Sequence, residues 1–331
     1  MFDFTVVVLQ GAYPTGVAVS RDMLAAASAL AQRAGATRPR WRLCSVAGGP
    51  VALQGGLSIQ TSRLPLRGRD DRSTWVVPGL GVDAPAALAQ RLAQADAAQV
   101  AAALARHARA GGPVAAGCSA VFLLAAAGLL AGRRATTSWW LAPRLKEVAP
   151  QCGVDADRMV CADGPVVTAG AAFAQADLML HLLRTRCGNV LAELLSRMLL
   201  VDGRQAQAPF IVPEVMASGD ALVARLAARV QDALPSPPSV AQLARDFCVS
   251  ERTLSRHVQR ATGKGTLALV QSVRLRRART LLETSRMSVE QVAQAVGYQD
   301  ATALRRLMQR SAGANPSRWR AAPAGSARIY R

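Results

Sequence analysis

The chain has 331 residues, which is long for one domain and comfortable for two that each bury a core. Its formal net charge is +19, of which residues 220–331 hold +12 and residues 1–219 hold +7. A basic excess at one end is typical of a nucleic-acid-binding module, and an arginine-rich composition explains much of the +7 but not the asymmetry. Six cysteines without a Cys-x-x-Cys pair and three histidines argue against a metal site, and no cofactor is expected.

The first 200 residues alternate apolar runs of strand length with helical segments rich in Ala and Leu. Near-continuously apolar strands separated by helices indicate a mostly parallel sheet covered on both faces, in a three-layer, flavodoxin-like α/β fold. The predicted strands are residues 4–9, 41–46, 74–77 and 113–117, and the predicted helices are residues 22–34, 85–109 and 119–130.

Residues 111–132 contain no charge and are numerous enough to raise the question of a membrane helix. Pro113 and the turn at Gly117-Cys118-Ser119 interrupt this stretch, so a buried strand, a tight turn and a buried helix fit it better. No signal peptide precedes the strand-like start of the chain. We therefore expect a cytoplasmic, nucleoid-associated protein with reduced cysteines and no membrane contact.

The turn at Gly117-Cys118-Ser119 has the form of a nucleophile elbow, which exposes a side chain above the sheet near a helix N-terminus. Such a position is expected to lower the pKa of a thiol. Pro78-Gly79 places another turn at the carboxyl end of a strand, where open α/β sheets hold their binding crevices. The residues predicted to line a ligand pocket are Gly79, Cys118, Ser119, Ser138 and Trp139.

The elbow, with residues 124–130, 134–139 and 163–168, resembles the class I glutamine amidotransferase-like domain of the ThiJ/PfpI group, in the version fused to AraC-type regulators. The resemblance covers residues 3–202 and implies a sensor domain. Hydrolytic relatives pair the elbow cysteine with a histidine and often a glutamate, because a thiolate needs a base or a counter-charge. Here Ser138 stands where regulatory relatives have that histidine.

No catalytic residue is therefore expected, since neither His107 nor His181 matches the position of a base and residues 10–20 contain no acid. Cys118 stays open between a buried thiol, a residue that lines a pocket and, least favoured, a nucleophile. Trp139 and its neighbour Trp140 either wall a pocket or belong to the core or a dimer interface.

Residues 202–210 are polar and contain Gly and Pro, which predicts that the first domain ends there. The predicted division is a sensor and dimerisation domain at 1–204, a linker at 205–219 and an all-α DNA-binding domain at 220–331. An amphipathic helix at 220–234 opens the last domain, and Pro235 ends that helix.

Residues 239–260 and 288–310 carry the same pattern. Each copy opens with Ser-Val, continues with an apolar residue followed by Ala, makes a short turn, and enters a second helix that holds a Leu and arginines. This pattern predicts two helix-turn-helix units joined by a connecting helix at residues 267–283. Ser239 and Ser250 are predicted to cap helices of the first unit, and Gly297 to permit the turn of the second.

The second helix of each unit leaves polar residues on its outer face. The residues predicted to contact bases are Arg252, Ser255, Arg256 and Gln259 in the first unit and Ala301, Thr302, Arg305 and Arg306 in the second. Such helices enter the major groove, where arginine can grip guanine O6 and N7 and methyl groups can contact thymine. The connecting helix displays Arg276, Arg277 and Arg279, which suit phosphates.

This layout resembles the DNA-binding domain of the AraC/XylS family over residues 220–322, through the runs 250–256, 274–282, 292–298 and 313–320. Thr266 replaces a helix-starting proline of the family, and Met308 replaces an aromatic residue. The resemblance implies a sequence-specific transcriptional regulator that activates its target genes. The partners it implies are double-stranded operator DNA, RNA polymerase, a second copy of the chain and a small nitrogenous metabolite as effector.

Two other functions stay open. A Cys-dependent amidase or peptidase with a DNA-binding tail would show a thiol at Cys118 that alkylates fast at neutral pH. A nonspecific basic protein of the chromosome would bind DNA of any sequence, with a steep dependence on salt.

Overall fold

The computed structural model describes residues 2–65, 71–201, 221–262, 265–312 and 315–316. Contacts divide the chain into two parts, an α/β unit, Met1–Gln207, and a helical unit, Ala208–Arg331. The predicted linker at 205–219 and the predicted boundary at residue 204 lie outside the described residues, so the proposed limits of the domains stay a prediction. Most of the run 313–320 lies outside them as well.

A mixed sheet with mostly parallel strands forms the centre of the first unit. The strands are β1 (Phe4–Val7), β2 (Trp41–Ser45), β3 (Gly49–Ala52), β4 (Ser58–Arg63), β5 (Thr74–Val77), β6 (Val114–Gly117), β7 (Arg134–Ala135), β8 (Gly153–Val154), β9 (Val160–Asp163) and β10 (Val166–Ala169). Eight of them run in the order β3-β4-β2-β1-β5-β6-β10-β9, and β7 pairs with β8 separately. Only the two edge pairs, β3 with β4 and β9 with β10, are antiparallel within the described sheet. The predicted mostly parallel sheet is confirmed.

Helices cover both faces of this sheet. They are α1 (Pro14–Leu30), α2 (Pro85–Leu92), α3 (Ala95–Arg109), α4 (Val121–Ala126), α5 (Ala142–Val148), α6 (Ala174–Cys187) and α7 (Asn189–Met198). Phe4 and Val6 of β1 pack in the core beneath α1, α6 and α7, whereas Val7 packs in the core beneath α2 to α5. The central strands are buried on both faces, which is why their sequences are continuously apolar. The three-layer architecture follows.

Three predicted helices have different limits in the structure. The helix predicted at 22–34 begins at Pro14, because proline is tolerated in a first turn, and it ends at Leu30. The helix predicted at 119–130 is a 3₁₀ turn at Cys118–Ala120 followed by α4, and Gly128, at φ 72°, lies in the turn beyond α4.

The helix predicted at 85–109 is divided into α2 and α3. Gln94 between them is extended, with φ −70° and ψ 147°. Arg91 of α2 reaches across the break to Asp96 of α3, with 2.7 Å between Nη2 and Oδ2. The periodicity of the Ala-rich sequence continues through the break, so it could not reveal it.

The helical unit has two small cores, one for each helix-turn-helix unit, and the two cores share one helix. Its helices are α8 (Ala221–Asp232), α9 (Val240–Asp246), α10 (Glu251–Thr262), α11 (Thr266–Thr284), α12 (Val289–Ala295) and α13 (Ala301–Ala312). Helices α8, α9 and α10 pack on the first half of α11 through Val270 and Val273. Helices α12 and α13 pack on its second half through Leu275, Ala278 and Leu282. The predicted connecting helix is confirmed, and it is a structural part of both units.

The first helix of each helix-turn-helix unit, α9 or α12, begins with the same capping box. The Ser239 hydroxyl accepts a hydrogen bond from the Gln242 backbone N–H, and the Gln242 side chain accepts one from the Ser239 backbone. Ser288 and Gln291 repeat this arrangement at the start of α12. Ser250 accepts a hydrogen bond from the Thr253 N–H at 3.1 Å. The predicted caps are thus confirmed, and both units start in register with their sequence pattern.

Candidate DNA interface and sensor crevice

The turns inside the two units each place one residue in the left-handed region of backbone conformation. Gly297 has φ 83°, and a Cβ at that position would lie 2.1 Å from the Pro235 carbonyl oxygen. Cys248 occupies the matching position of the first unit with φ 54°. The second turn therefore needs glycine for two reasons, conformation and space, as predicted for the first of them.

Helices α10 and α13 expose matched polar stripes. Arg252, Arg256 and Gln259 are exposed in α10, and Ser255 between them is half-buried. In α13 the exposed side chains at positions shifted by 50 residues are Thr302, Arg306 and Gln309, with Arg305 opposite Ser255. The apolar faces of both helices are buried through Leu254 and Val258, and through Leu304 and Met308. Each helix thus packs by one face and leaves the other to solvent.

The prediction that Ala301 faces DNA is wrong, because this residue is only 5% exposed and packs in the second core. Ala301 is three residues before Leu304 and seven before Met308, which places it on the buried stripe of α13. Gln309 was missed by the prediction. The signal that could have found it is its correspondence to Gln259, which was among the predicted residues.

Arg305 does not extend freely into solvent. Its Nη2 lies 3.0 Å from Oε1 of Glu290, in the first turn of α12. At the start of α13, the Asp300 carboxylate accepts hydrogen bonds from the backbone N–H groups of Thr302 and Ala303, which lower the pKa of Asp300. Two carboxylates therefore lie close to the polar stripe of the second unit.

The three arginines predicted for phosphates differ in their surroundings. Arg277 is exposed on α11. Arg276 is half-buried and donates to the Gln231 side chain, and Arg279 pairs with Glu283 at 2.6 Å. Arg277 is consequently the one most open to an anion among these three.

Arg274, in the same basic run, has a structural role that the sequence did not reveal. Its guanidinium donates to the carbonyl oxygens of Val296 and Gly297 and stacks on the Tyr298 ring, 3.6 Å from the centroid. These bonds fix the turn between α12 and α13 on the connecting helix. A basic residue in a run of arginines gives no signal that distinguishes this role.

The elbow in the α/β unit follows β6 as predicted, and Cys118 has the positive φ, 55°, of a strained turn. Cys118 is 3% exposed, which agrees with the buried thiol among the three alternatives and differs from the exposed side chain of a typical nucleophile elbow. A Cβ on Gly79 would lie 3.3 Å from Cys118 Cβ and 3.5 Å from the Tyr13 ring. Gly79 thus lies against Cys118, and the Tyr13 ring lies against Gly79.

Hydroxyl groups surround the thiol where a catalytic cysteine would have a base. Cys118 Sγ shares a hydrogen bond of 2.9 Å with Ser138 Oγ, and Thr137 donates to the Cys118 carbonyl oxygen at 2.7 Å. Ser119 Oγ accepts from the Leu80 N–H at 2.9 Å. Burial raises the pKa of the Cys118 thiol, and the hydrogen bonds with Ser138 and Ser119 offset this only in part. The predicted lowering of the pKa is thus corrected.

The histidines of the α/β unit, His107 and His181, are not among the neighbours of Cys118 described above. His107 stacks on Trp75 with ring centroids 4.3 Å apart, and its Nε2 donates to the Ser73 carbonyl oxygen at 3.0 Å. Burial lowers the pKa of His107, and that of His181 in α6. The indole of Trp140 packs against the core beneath α2 to α5, whereas Trp139 is 8% exposed beside the buried Ser138.

The predicted pocket residues therefore come together at the carboxyl ends of β5 and β6, where they are buried. Gly79, Cys118, Ser119 and Ser138 are joined by the contacts above, while Trp139 follows Ser138 in the chain. Within the described residues, no group of acidic, Cys and His side chains could hold a metal ion. Among the same residues, none of the helices is both long and apolar enough to cross a membrane.

Tandem helix-turn-helix units with matched exposed stripes, in a chain with an α/β unit whose elbow cysteine is enclosed, define a DNA-binding regulator with a sensing domain. Residues 243–322 match the helix-turn-helix domain family, and residues 71–185 match the DJ-1/PfpI family. The chain is 30% identical over 288 residues to the HTH-type transcriptional regulator GlxA of Rhizobium meliloti, covering 84% of this chain and 86% of that protein. It belongs to this family of AraC-type transcriptional regulators with a DJ-1/PfpI-like domain.

Other relatives agree with this assignment. The HTH-type transcriptional regulator CdhR of Pseudomonas aeruginosa is 29% identical over 294 residues, covering 85% of this chain and 82% of the relative. The crystal structure of an AraC family transcriptional regulator from Pseudomonas putida has the same fold over 60% of this chain and 100% of its own, with a TM-score of 0.51 and 20% identity. GlxA and CdhR are named as regulators of transcription, and the protein is a DNA-binding transcriptional regulator.

Proposed function

We propose that the exposed stripes of α10 and α13 are the two base-reading surfaces of this regulator. The observation that carries the proposal is the repetition of the stripe. Two helices expose polar residues at the same three positions, 252, 256 and 259 in α10 and 302, 306 and 309 in α13, while their opposite faces are buried in separate cores. A solvated helix face has no physical reason to recur in this register, whereas two adjacent major-groove segments demand it.

The side chains of the stripes fit distinct roles at the DNA. Arg256, Arg305 and Arg306 can donate to guanine, and Gln259 and Gln309 can pair with adenine. Arg252 and Thr302 lie at the start of their helices, where recognition helices approach base edges. Arg277 suits a phosphate, which positions the protein without specifying sequence.

The α/β unit serves, in this proposal, as a catalytically inactive sensor. A protonated thiol is a weak nucleophile, and the Cys118 thiol is bonded to a serine hydroxyl where a base would be required. An effector that binds between the loops of Gly79 and Ser138 would bias the placement of the DNA-binding units of a homodimer. A small nitrogenous metabolite, contact with RNA polymerase, activation of transcription and a cytoplasmic location are further parts of this proposal.

The base-reading surfaces are tested with Arg256→Ala and Arg305→Ala. DNA sites are first selected from a random duplex library with the full-length protein, and affinities are then measured by fluorescence anisotropy. Loss of a guanine contact is expected to cost about 1–3 kcal/mol on the selected site for each variant. Unchanged affinity in both variants would refute the assignment.

Arg21→Ala provides the matched control for the loss of charge. Arg21 lies in the first unit, with 54% of its side chain exposed and Asp22 as its partner. This variant is expected to bind the selected site like the unmodified protein. Circular dichroism of all three variants checks that the fold is retained, since none of the replaced side chains lies in a core.

The sensor is tested by thermal denaturation of the full-length protein with a panel of amino acids and quaternary amines. A ligand of the first unit is expected to raise the midpoint of unfolding in proportion to the logarithm of its concentration. The shift should be lost in Ser138→Ala if the ligand contacts this hydroxyl. A shift that persists would place the ligand elsewhere.

A further inference from the structure

One acidic side chain stands beside the stripe of the second unit. Glu290 Oε1 lies 3.0 Å from Nη2 of Arg305, and 61% of the Glu290 side chain and 51% of the Arg305 side chain are exposed. The pair links the first helix of the unit, α12, to the helix assigned to the major groove, α13. Both partners therefore remain accessible to DNA while they hold each other.

Glu290 is fixed at its end of the pair. It occupies the second position of α12, between the two residues of the capping box, Ser288 and Gln291. Its carboxylate is held by its own backbone N–H, by the Ser288 hydroxyl and by Arg305, and all three lower its pKa. The N-terminal end of a helix also favours negative charge. Glu290 therefore stays ionised and stays in place.

The first unit has no equivalent of this pair. Ala241 stands at the position of Glu290 after Ser239, and Ser255 stands at the position of Arg305. Ser255 is half-buried and lies near Thr266, with 3.5 Å between the hydroxyl oxygens. The two units thus expose similar stripes but differ at one place, where the second has an anchored arginine and the first a short hydroxyl.

We propose that Glu290 is a specificity-determining residue, which holds the Arg305 guanidinium ready for guanine and withholds it from the phosphates. An unanchored arginine can turn to the nearest phosphate, and that contact adds affinity for every sequence. A guanidinium held at one nitrogen keeps further N–H donors for O6 and N7 of guanine. The carboxylate also repels phosphates, and anchoring reduces the side-chain entropy that a base contact costs.

This inference rests on the proposed base-reading role of α13, and Glu290→Gln tests it. Glutamine keeps the shape of the side chain and removes its charge. Sites are selected from a random duplex library with the full-length unmodified protein, Glu290→Gln and Arg305→Ala, and are sequenced. Affinities for the best site and for an unrelated duplex follow from anisotropy at one salt concentration.

We expect Glu290→Gln to lose the guanine preference at the same position of the site as Arg305→Ala. The ratio of specific to nonspecific affinity should fall by about fivefold or more, the lower range of one bidentate base contact. Binding to the unrelated duplex should become tighter. The part of the site read by the first unit should keep its base preferences in both variants, which gives an internal control.

Glu283→Gln is the control for removal of one negative charge. Glu283 pairs with Arg279 within α11 and belongs to neither stripe. If Glu290→Gln keeps the complete base preference, or if both glutamine variants change all affinities by one common factor, the inference is overturned. If the unmodified protein selects no preferred sequence, the proposed function itself fails. A preference that survives Arg305→Ala removes the role of Arg305 and with it that of Glu290.

Discussion

Two opposing effects act on the thiol of Cys118. The start of a helix favours the thiolate, but the helix that follows the elbow comprises only the 3₁₀ turn and the six residues of α4. Burial against the Gly79 loop disfavours the charged form of the thiol, and burial is the larger effect on the pKa. The residue that looks reactive in the sequence is therefore expected to be a protonated thiol at neutral pH.

Alkylation measures this directly. With iodoacetamide at pH 7, we expect Cys118 to react far more slowly than the exposed Cys248, as followed by mass spectrometry of the peptides. The rate at Cys118 should rise as the pH increases towards its raised pKa, because the thiolate is the reacting form.

Ser138→Ala serves as the comparison in the same experiment. It removes a hydrogen bond that favours the thiolate, so the pH needed for alkylation of Cys118 should move further upward, provided the side chain stays enclosed. Rapid labelling of Cys118 at neutral pH in the unmodified protein would contradict the assignment of an inactive thiol and restore the amidase as a candidate.

At the scale of elements, the turns of the two units solve the same geometric problem with different residues. Cys248 and Gly297 both have positive φ, but only the second has a carbonyl oxygen, that of Pro235, in the space of a side chain. A non-glycine residue in this conformation is strained by its Cβ. The first unit carries this cost, and the second avoids it.

Reciprocal substitutions separate conformation from space. Cys248→Gly is expected to stabilise the helical unit, residues 208–331, by about 1 kcal/mol, because it relieves the left-handed strain at an exposed site. Gly297→Ala is expected to destabilise it by about 1–3 kcal/mol or more, through the same strain and the clash with Pro235. Urea denaturation followed by circular dichroism measures both. Equal effects of opposite sign would mean that the clash has no weight.

The helices of the second unit could be predicted in detail because their signals are local. The Ser239 and Ser288 boxes and the apolar spacing of α11 act within one or two turns of chain. Ala301 was misplaced because the turn before α13 is one residue longer than the turn before α10. The extra residue hides which positions of α13 face the core. The pairing of Arg305 with Glu290 joins two helices, and no pattern along either helix contains it.

The crevice was predictable in its location but not in its state. The elbow after β6 and the turn at Pro78-Gly79 follow from strand ends, which parallel sheets bring to one edge. Enclosure of Cys118 depends on Gly79, which lies in the loop after β5, and on Ser138, which lies beyond α4. Contacts between loops set the pKa of the thiol, and the sequence near Cys118 does not encode them.

At the scale of the whole molecule, the net charge of +19 supplies attraction to DNA but no choice of sequence. The chain limits this attraction with internal partners for some arginines, such as Glu283 for Arg279. Arg277 is exposed and suits a phosphate. Its contribution should appear in the salt dependence of binding and not in the sequence of the preferred site.

Arg277→Ala and Arg279→Ala form a matched pair for this expectation. Arg277→Ala should lower affinity for specific and unrelated duplexes alike and reduce the slope of log K against log salt by about 1. Arg279→Ala should change the slope less, since Glu283 already compensates that charge. Equal slopes for the two variants, measured by anisotropy across a salt series, would refute the phosphate role of Arg277.

The closed state of the crevice around Cys118 has a thermodynamic consequence for any effector that uses it. A ligand that contacts this buried thiol has to displace its present neighbours, Gly79 and Ser138, so part of its intrinsic binding energy is consumed in populating an open form. Apparent affinity is thereby reduced by the population of that form. The same coupling means that occupancy and loop opening cannot be separated, so even a weakly bound metabolite changes the conformation of the domain. A buried site of this kind would suit an effector present at high concentration better than a scarce one.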